Sequence, residues 1–246
     1  MSIDSEEELA GMQTAGKATR AVLDGMKAAV QAGVTTGELD EVGMSIMHRM
    51  GARSAPKLVY GFPGYSCISV NDEVVHGVPG KRKLANGDLV KLDVTVEVNG
   101  FMADACETVA VGPVDKQSRE LKDCAERAFE AGLAAAVPGA RAFDIGKAVQ
   151  RAVSGAGYWV VRDLTGHGIG RTIHERPTIP NEFDRRCADV LHEGLVFTIE
   201  PMIAAGTPRT VTLKDGWTVR TRDRSRSAHH EHTVVLTREG ARILTA

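Results

Sequence analysis

KLDVTVEVNGFMADACETV (91–109) decides the fold class. Two runs of alternating, largely β-branched residues flank Asn99-Gly100, a pair that accepts the positive φ of a tight two-residue turn. With those two residues as the loop, Val98 faces Phe101 and residue i faces residue 199 − i, so Asp93 faces Cys106 and Asp104 faces Thr95. Side chains alternate along a strand, so both aspartates share one face of the ribbon as diagonal neighbours, ~7–8 Å apart at Cα. Acids on a hairpin usually face water. Here Leu92, Val94, Val96, Phe101 and Ala103 make an apolar ribbon in which Asp is a poor strand former. No Lys or Arg stands between Lys91 and Lys116 to neutralise the pair. A metal ion is the natural counter-charge.

Outward from this hairpin, helical signals come in pairs. Ser5 with Glu8 makes a capping box, followed by an apolar stripe of Leu9, Met12, Val22, Met26 and Val30, which predicts a helix over about 5–31. Thr35 with Glu38, then Leu39, Val42, Ile46, Met47 and Met50, predicts a second helix ending at Gly51. The segment 58–111 reads as sheet. Leu121, Cys124, Ala128 and Phe129 mark a third helix, and Phe143, Ile145, Val149 and Val153 a fourth, before strands resume at YWVV (158–161). AGVTTGELDEV (32–42) lies over PGARAFDIGKAV (138–149) at an offset of about 106, with Gly33 over Gly139, which reads as an internal duplication. Paired helices and hairpin strands give an α+β fold, with helices covering one face of a mostly antiparallel sheet. One domain over 1–246 is the reading, because nothing resembles a linker.

Composition bounds the function. The 246 residues carry net charge −2, so neither DNA nor other nucleic acid is the partner expected from bulk charge. The four cysteines show neither paired motif nor regular spacing, which favours reduced thiols in the cytoplasm. No apolar run approaches the ~20 residues that span a bilayer, and MSIDSEEELAGM is acidic where a signal peptide is basic.

Two further acids interrupt apolar strands: Glu200 in LVFTIEPMI and Glu231 ahead of TVVL. Four such acids with histidines nearby fit an oxygen-rich divalent site. His167 in LTGHGIGRTIHERP has glycines on both sides that let the backbone pack closely and expose the imidazole; His174 follows in the same stretch, and His76 adjoins a turn glycine in NDEVVHGVPG. An isolated histidine is more often solvated or structural than a ligand, and only the glycine setting of His167 lifts it above that. HHEH (229–232) invites a local metal site, but in a strand residues 229 and 231 face one way and 230 and 232 the other.

Together these residues resemble the type I, bacterial-type methionine aminopeptidases among the pita-bread metallopeptidases. The motifs SVNDEVVHGVPG, LVKLDVTVEVNGFMAD, GHGIGRTIHERP, FTIEPM and DRSRSAHHEHTVV carry the likeness, which spans nearly the whole chain. The resemblance implies a duplicated pita-bread fold and five ligands: Asp93, Asp104, His167, Glu200 and Glu231. It implies two divalent ions, with Asp104 and Glu231 bridging, Asp93 on one ion, and His167 with Glu200 on the other. Glu200 is then the proton shuttle, and His76 and His174 contact substrate and stabilise the tetrahedral intermediate. Phe62, Cys67 and Trp217 help line the methionine pocket, Phe62 standing where bacterial relatives commonly carry tyrosine and Ile173 where many carry an aromatic residue. His229 matches no ligand role in the family, so Glu231 alone of HHEH is expected to touch metal.

The implied activity is removal of the first methionine from nascent chains whose second residue is small, by a monomer. Asp, Glu and one His suit cobalt, manganese, iron and zinc alike. Proline-directed relatives share the five ligands but usually carry a large N-terminal domain. Type II relatives usually insert a long helical segment between the positions of His167 and Glu200, an interval too short for it here. A catalytically dead relative would be marked by lost ligands, and all five are present. Arg220, Arg222, Arg224 and Arg226 read as a solvated strand edge in preference to a ribosome-docking patch.

Overall fold

The computed structural model describes residues 1–246. Helices α1 (Glu6–Ala29) and α2 (Thr36–Arg49) precede strand β1 (Arg53–Ser54), a short α3 (Ala55–Tyr60), β2 (Cys67–Val70), β3 (Glu73–Val75) and the long hairpin β4 (Leu89–Val98) and β5 (Phe101–Ala110). Helices α4 (Lys116–Ala135) and α5 (Ala142–Gly155) then lead into β6 (Trp159–Val160), β7 (Gly166–Gly168), β8 (Glu175–Ile179), β9 (Val196–Ile199) and β10 (Met202–Ala204). The chain closes with β11 (Thr210–Thr212), β12 (Val219–Thr221), β13 (Ser227–Thr237) and β14 (Gly240–Ile243).

The helix ends follow their capping chemistry. Ser5 Oγ accepts the Glu8 N–H at 3.2 Å, while the Glu8 carboxylate reaches past Ser5 to the Asp4 N–H at 2.9 Å. At α2 the box is complete: Thr35 Oγ1 accepts the Glu38 N–H and Glu38 accepts the Thr35 N–H at 2.7 Å. Residues 58–60, read above as sheet, end α3 instead. Ser54 Oγ accepts the Lys57 N–H, Pro56 sits in the first turn, and Gly61 closes the helix at φ 70°. Capping outweighs the strand preference of Val59 and Tyr60.

The hairpin register matches the reading pair for pair, with Asp93 opposite Cys106 and Thr95 opposite Asp104. The main path of the eleven-stranded sheet runs β1-β4-β5-β13-β9-β7-β8, with β2, β6, β10 and β14 attached, and every recorded pairing is antiparallel. A small sheet, β11-β12-β3, lies beside it.

Duplication is visible in the backbone. Helices α2 and α5 are both 14 residues long, and their starts, Thr36 and Ala142, keep the offset of about 106. Gly33 and Gly139 precede them at φ 93° and 84°, each donating its N–H to a leucine carbonyl, Leu84 and Leu191, at 2.8 Å. Each half buries its own apolar cluster. Met12, Val22 and Met26 of α1 with Leu39 and Met47 of α2 pack on Val94 and Val96 of β4. Leu121 and Phe129 of α4 with Ile145 and Val149 of α5 pack on Phe197 of β9 and Val234 of β13. Each such side chain contributes about 1.5–3 kcal/mol by leaving water. Because β4 turns its even-numbered residues to the helices, Asp93 and Thr95 face the opposite side. The helices thus hold the acid-bearing face of the sheet open.

Candidate metal centre

Register brings the acids together. Cys67 of β2 pairs with Asp93 of β4, Asp93 with Cys106 of β5, and Cys106 with Glu231 of β13, forming one row across four strands. Asp104 lies two residues along β5, where its N–H donates to Thr233 Oγ1 at 2.8 Å and the Thr233 hydroxyl donates back to its carbonyl. Glu231 lies inside β13 rather than ahead of the strand as read above, because β13 begins at Ser227. Glu200 occupies the break between β9 and β10, where Pro201 has no N–H to continue a ladder.

His167 is placed by its glycines. A Cβ on Gly166 would stand 2.6 Å from the Thr198 carbonyl oxygen, and one on Gly168 2.2 Å from that of Arg176, so only glycine permits this packing. The His167 N–H donates to Thr198 Oγ1 at 3.0 Å, and that hydroxyl donates to Glu200 Oε1 at 2.6 Å. His167 Nδ1 lies 3.0 Å from the Gly168 carbonyl, so it carries the proton and leaves Nε2 bare, 3.3 Å from Glu200 Oε1.

Asp93, Asp104, His167, Glu200 and Glu231 line one cleft of about 370 Å³, together with His76, His174 and His229. No lysine or arginine pairs with any of the four carboxylates; the side-chain nitrogens beside them are those of His167 at Glu200 and His229 at Glu231. Burial first, then mutual repulsion, pushes the carboxyls of Asp93 and Glu231 well above the usual range. Burial does the same to Glu200, against the Thr198 hydrogen bond. Asp104 rises to about 6 through burial, tempered by hydrogen bonds from Thr95 and Asp93. Burial holds His167 near 4 and His229 near 3, so both imidazoles are neutral at pH 7.

Asp104 Oδ1, Glu231 Oε1 and both ring nitrogens of His229 are buried without a hydrogen-bond partner. Unpartnered buried acceptors of this kind are costly unless a cation faces them. The donor atoms of Asp104, His167 and Glu231 lie within 4.8 Å of one another, as do those of Glu200, His229 and Glu231. The residues present therefore fit a divalent metal.

An apolar pocket of about 240 Å³ adjoins the cleft and shares His76, Asp93, Asp104 and His174 with it. Phe62, Cys67 and Trp217 line it with Ile173 and Tyr60, and Phe62 meets Trp217 edge to face at 5.2 Å. His76 sits at φ 56° just before Gly77, where a Cβ would stand 2.2 Å from the Ile68 carbonyl oxygen, and the turn aims it at the junction of cleft and pocket. His174 crosses His167 with ring centroids 4.3 Å apart, and its Nδ1 lies 2.6 Å from the Tyr60 hydroxyl. Burial lowers the pKa of His174, and burial with His174 lowers that of His76.

Sequence reasoning left out Tyr60 and Thr198, and it gave His229 no ligand role. The first two carried no signal, since Tyr60 is on a misread helix and Thr198 acts through its two neighbours. The period-two face of β13 already put His229 beside Glu231. On the other face, His230 and His232 pack against Phe129 of α4, ring centroids 5.2 and 5.1 Å away, outside the cleft.

Comparison with known proteins agrees with this geometry. The model of metallopeptidase family M24 matches residues 10–238. A methionine aminopeptidase of Clostridium perfringens is 41% identical, over 99% of this chain and 98% of its own. That of Escherichia coli K12 is 40% identical over 100% and 94%. The crystal structure of methionine aminopeptidase from Rickettsia prowazekii superposes with TM-score 0.95 at 40% identity, covering both chains entirely. Prolidase from Pyrococcus furiosus, 24% identical with TM-score 0.82, shares the fold over 65% of its length.

Proposed function

The chain belongs to metallopeptidase family M24, and from that premise we propose how its cleft and pocket divide the work. The protein is a metal-dependent hydrolase that removes N-terminal methionine, as its full-length methionine aminopeptidase relatives indicate. The observation that carries the finer reading is the shared wall: His76, Asp93, Asp104 and His174 line both the acid cleft and the apolar pocket. A methionine side chain in the pocket puts its own amino group and first peptide bond at the acids.

Asp93, Asp104, His167, Glu200 and Glu231 would hold two divalent ions, drawn from cobalt, manganese, iron or zinc. When bound, such ions lower the pKa of water and polarise a carbonyl. Glu200, raised by burial, takes the proton of the attacking water on its carboxylate and returns it to the leaving amine, and Thr198 holds that carboxylate in place. His174, with Nδ1 engaged by Tyr60, has Nε2 free to donate to the carbonyl oxygen as charge develops there. His76, which lines both cleft and pocket, contacts the same oxygen or the peptide. Phe62, Cys67 and Trp217 exclude water and bound the methionine side chain.

The 246 residues act as one catalytic domain, a cytoplasmic monomer that takes nascent chains with a small second residue. Ribosome docking through the arginine run is the weaker reading: Arg220 pairs with Asp72 at 3.6 Å and Arg226 with Asp115 at 3.3 Å, leaving Arg222 and Arg224 exposed. Metal analysis of protein purified without chelator, with methionine release from Met-Ala-Ser after reconstitution with each ion, tests the whole reading. Release that survives complete metal removal refutes the metal-dependent reading.

A further inference from the structure

We infer that His229 is a nitrogen donor to the ion that Glu200 and Glu231 share, so that this subsite is built on two imidazoles, His167 and His229, rather than one. The inference rests on the metal reading above and adds a ligand to it. His229 is 1% exposed, and neither Nδ1 nor Nε2 has a hydrogen-bond partner in the protein. A neutral imidazole carries one donor and one lone pair, and burying both unmet is costly. The 3.5 Å from its Nε2 to Glu231 Oε2 is long for a hydrogen bond. It is an ordinary separation for two atoms on one ion, since donors each ~2.1 Å away lie up to ~4.2 Å apart.

Placement supports the same assignment. His229 lies two residues before Glu231 on the same face of β13 and opposite Met202 of β10, whose strand follows directly from Glu200 and Pro201. Its backbone is pinned by a reciprocal pair: the His229 N–H donates to Thr108 Oγ1, and the Thr108 hydroxyl donates to the His229 carbonyl, both at 2.8 Å. Its ring, like those of His76, His167 and His174, lines the cleft. His230 and His232, equally close in sequence, spend their rings on Phe129 and serve as the contrast. A second imidazole makes the subsite softer and favours zinc, cobalt or iron over manganese.

X-ray absorption of the protein loaded with one equivalent of Co(II) counts imidazoles through their outer-shell scattering. Two imidazoles in the wild-type protein and one in His229→Gln are expected, with the tighter Co(II) affinity by calorimetry weakened about 10-fold or more. A wild-type spectrum that fits a single imidazole overturns the assignment whatever the variant does. A weakened affinity in His229→Gln with an unchanged imidazole count also overturns it, leaving His229 as a hydrogen-bond partner of Glu231. Failure of Co(II) to bind at all removes the metal reading itself, which distinguishes the two failures. Melting of the metal-free variant checks that it folds.

Discussion

Asp104 makes the chemistry of the site measurable one side chain at a time. Its carboxyl is raised from 3.8 to about 6 by burial, against hydrogen bonds that lower it. A raised carboxyl favours the folded metal-free state only while protonated: its contribution is complete below pH 3.8 and lost as pH rises through 6. Asp104→Asn, which cannot ionise, is therefore expected to abolish methionine release from Met-Ala-Ser while leaving the metal-free melting temperature at pH 7 unchanged or higher. Turnover within tenfold of wild type would sink the ligand role. Tyr60 bonds to Nδ1 of His174, the proposed donor to the carbonyl oxygen, so Tyr60→Phe is expected to lose one hydrogen bond of about 1 kcal/mol and lower kcat/KM about fivefold, with Co(II) affinity unmoved in calorimetry. Both aspartates were legible in sequence because Asn99-Gly100 pins the register and every partner is local. The position of His229 on the strand was equally legible, but its meeting with Glu200 was not, since Glu200 arrives from a strand pair whose register no short motif specifies.

At the scale of elements, α1 is fastened to β5 by one acid. Glu107 on β5 accepts from Arg20 at 2.6 Å and from Lys27, both on α1. Burial alone would raise its carboxyl, but the two cations hold it at about 2. The sign is that of a depressed carboxyl: the stabilisation is complete above about 4.5 and fades as pH falls through 2. Glu107→Gln should cost about 1–3 kcal/mol at pH 7, the upper end being the full linkage value. Urea denaturation at pH 7, 4 and 3 checks it, because the gap between wild type and variant must narrow downward. A gap independent of pH would mean the loss is packing. The long helices were legible from caps and apolar stripes, and the offset of about 106 foretold their pairing. Helix α3 was not, because six residues are too few for a helical period to emerge over the strand preference of Val59 and Tyr60.

Over the whole molecule, the proposed ligands come from both copies of the repeat, Asp93 and Asp104 from the first, and His167, Glu200 and Glu231 from the second. The halves meet where β5 pairs with β13 at Glu231 and Cys106. A metal held across that seam stabilises both halves at once. Divalent cobalt at about 100 times its Kd should add about 2.7 kcal/mol, or roughly 5–10 °C in Tm for a chain of this size, and chelator should reverse it. Protons compete with metal for the same carboxylates. As pH falls through 6, Asp104 takes up a proton that cobalt must displace, so the metal-induced rise in Tm should shrink between pH 7 and 5. Scanning calorimetry with and without cobalt across that range measures it directly. A rise in Tm that is the same at pH 5 as at pH 7 would place the stabilising ion away from these acids, and with it the claim that one site ties the two halves together.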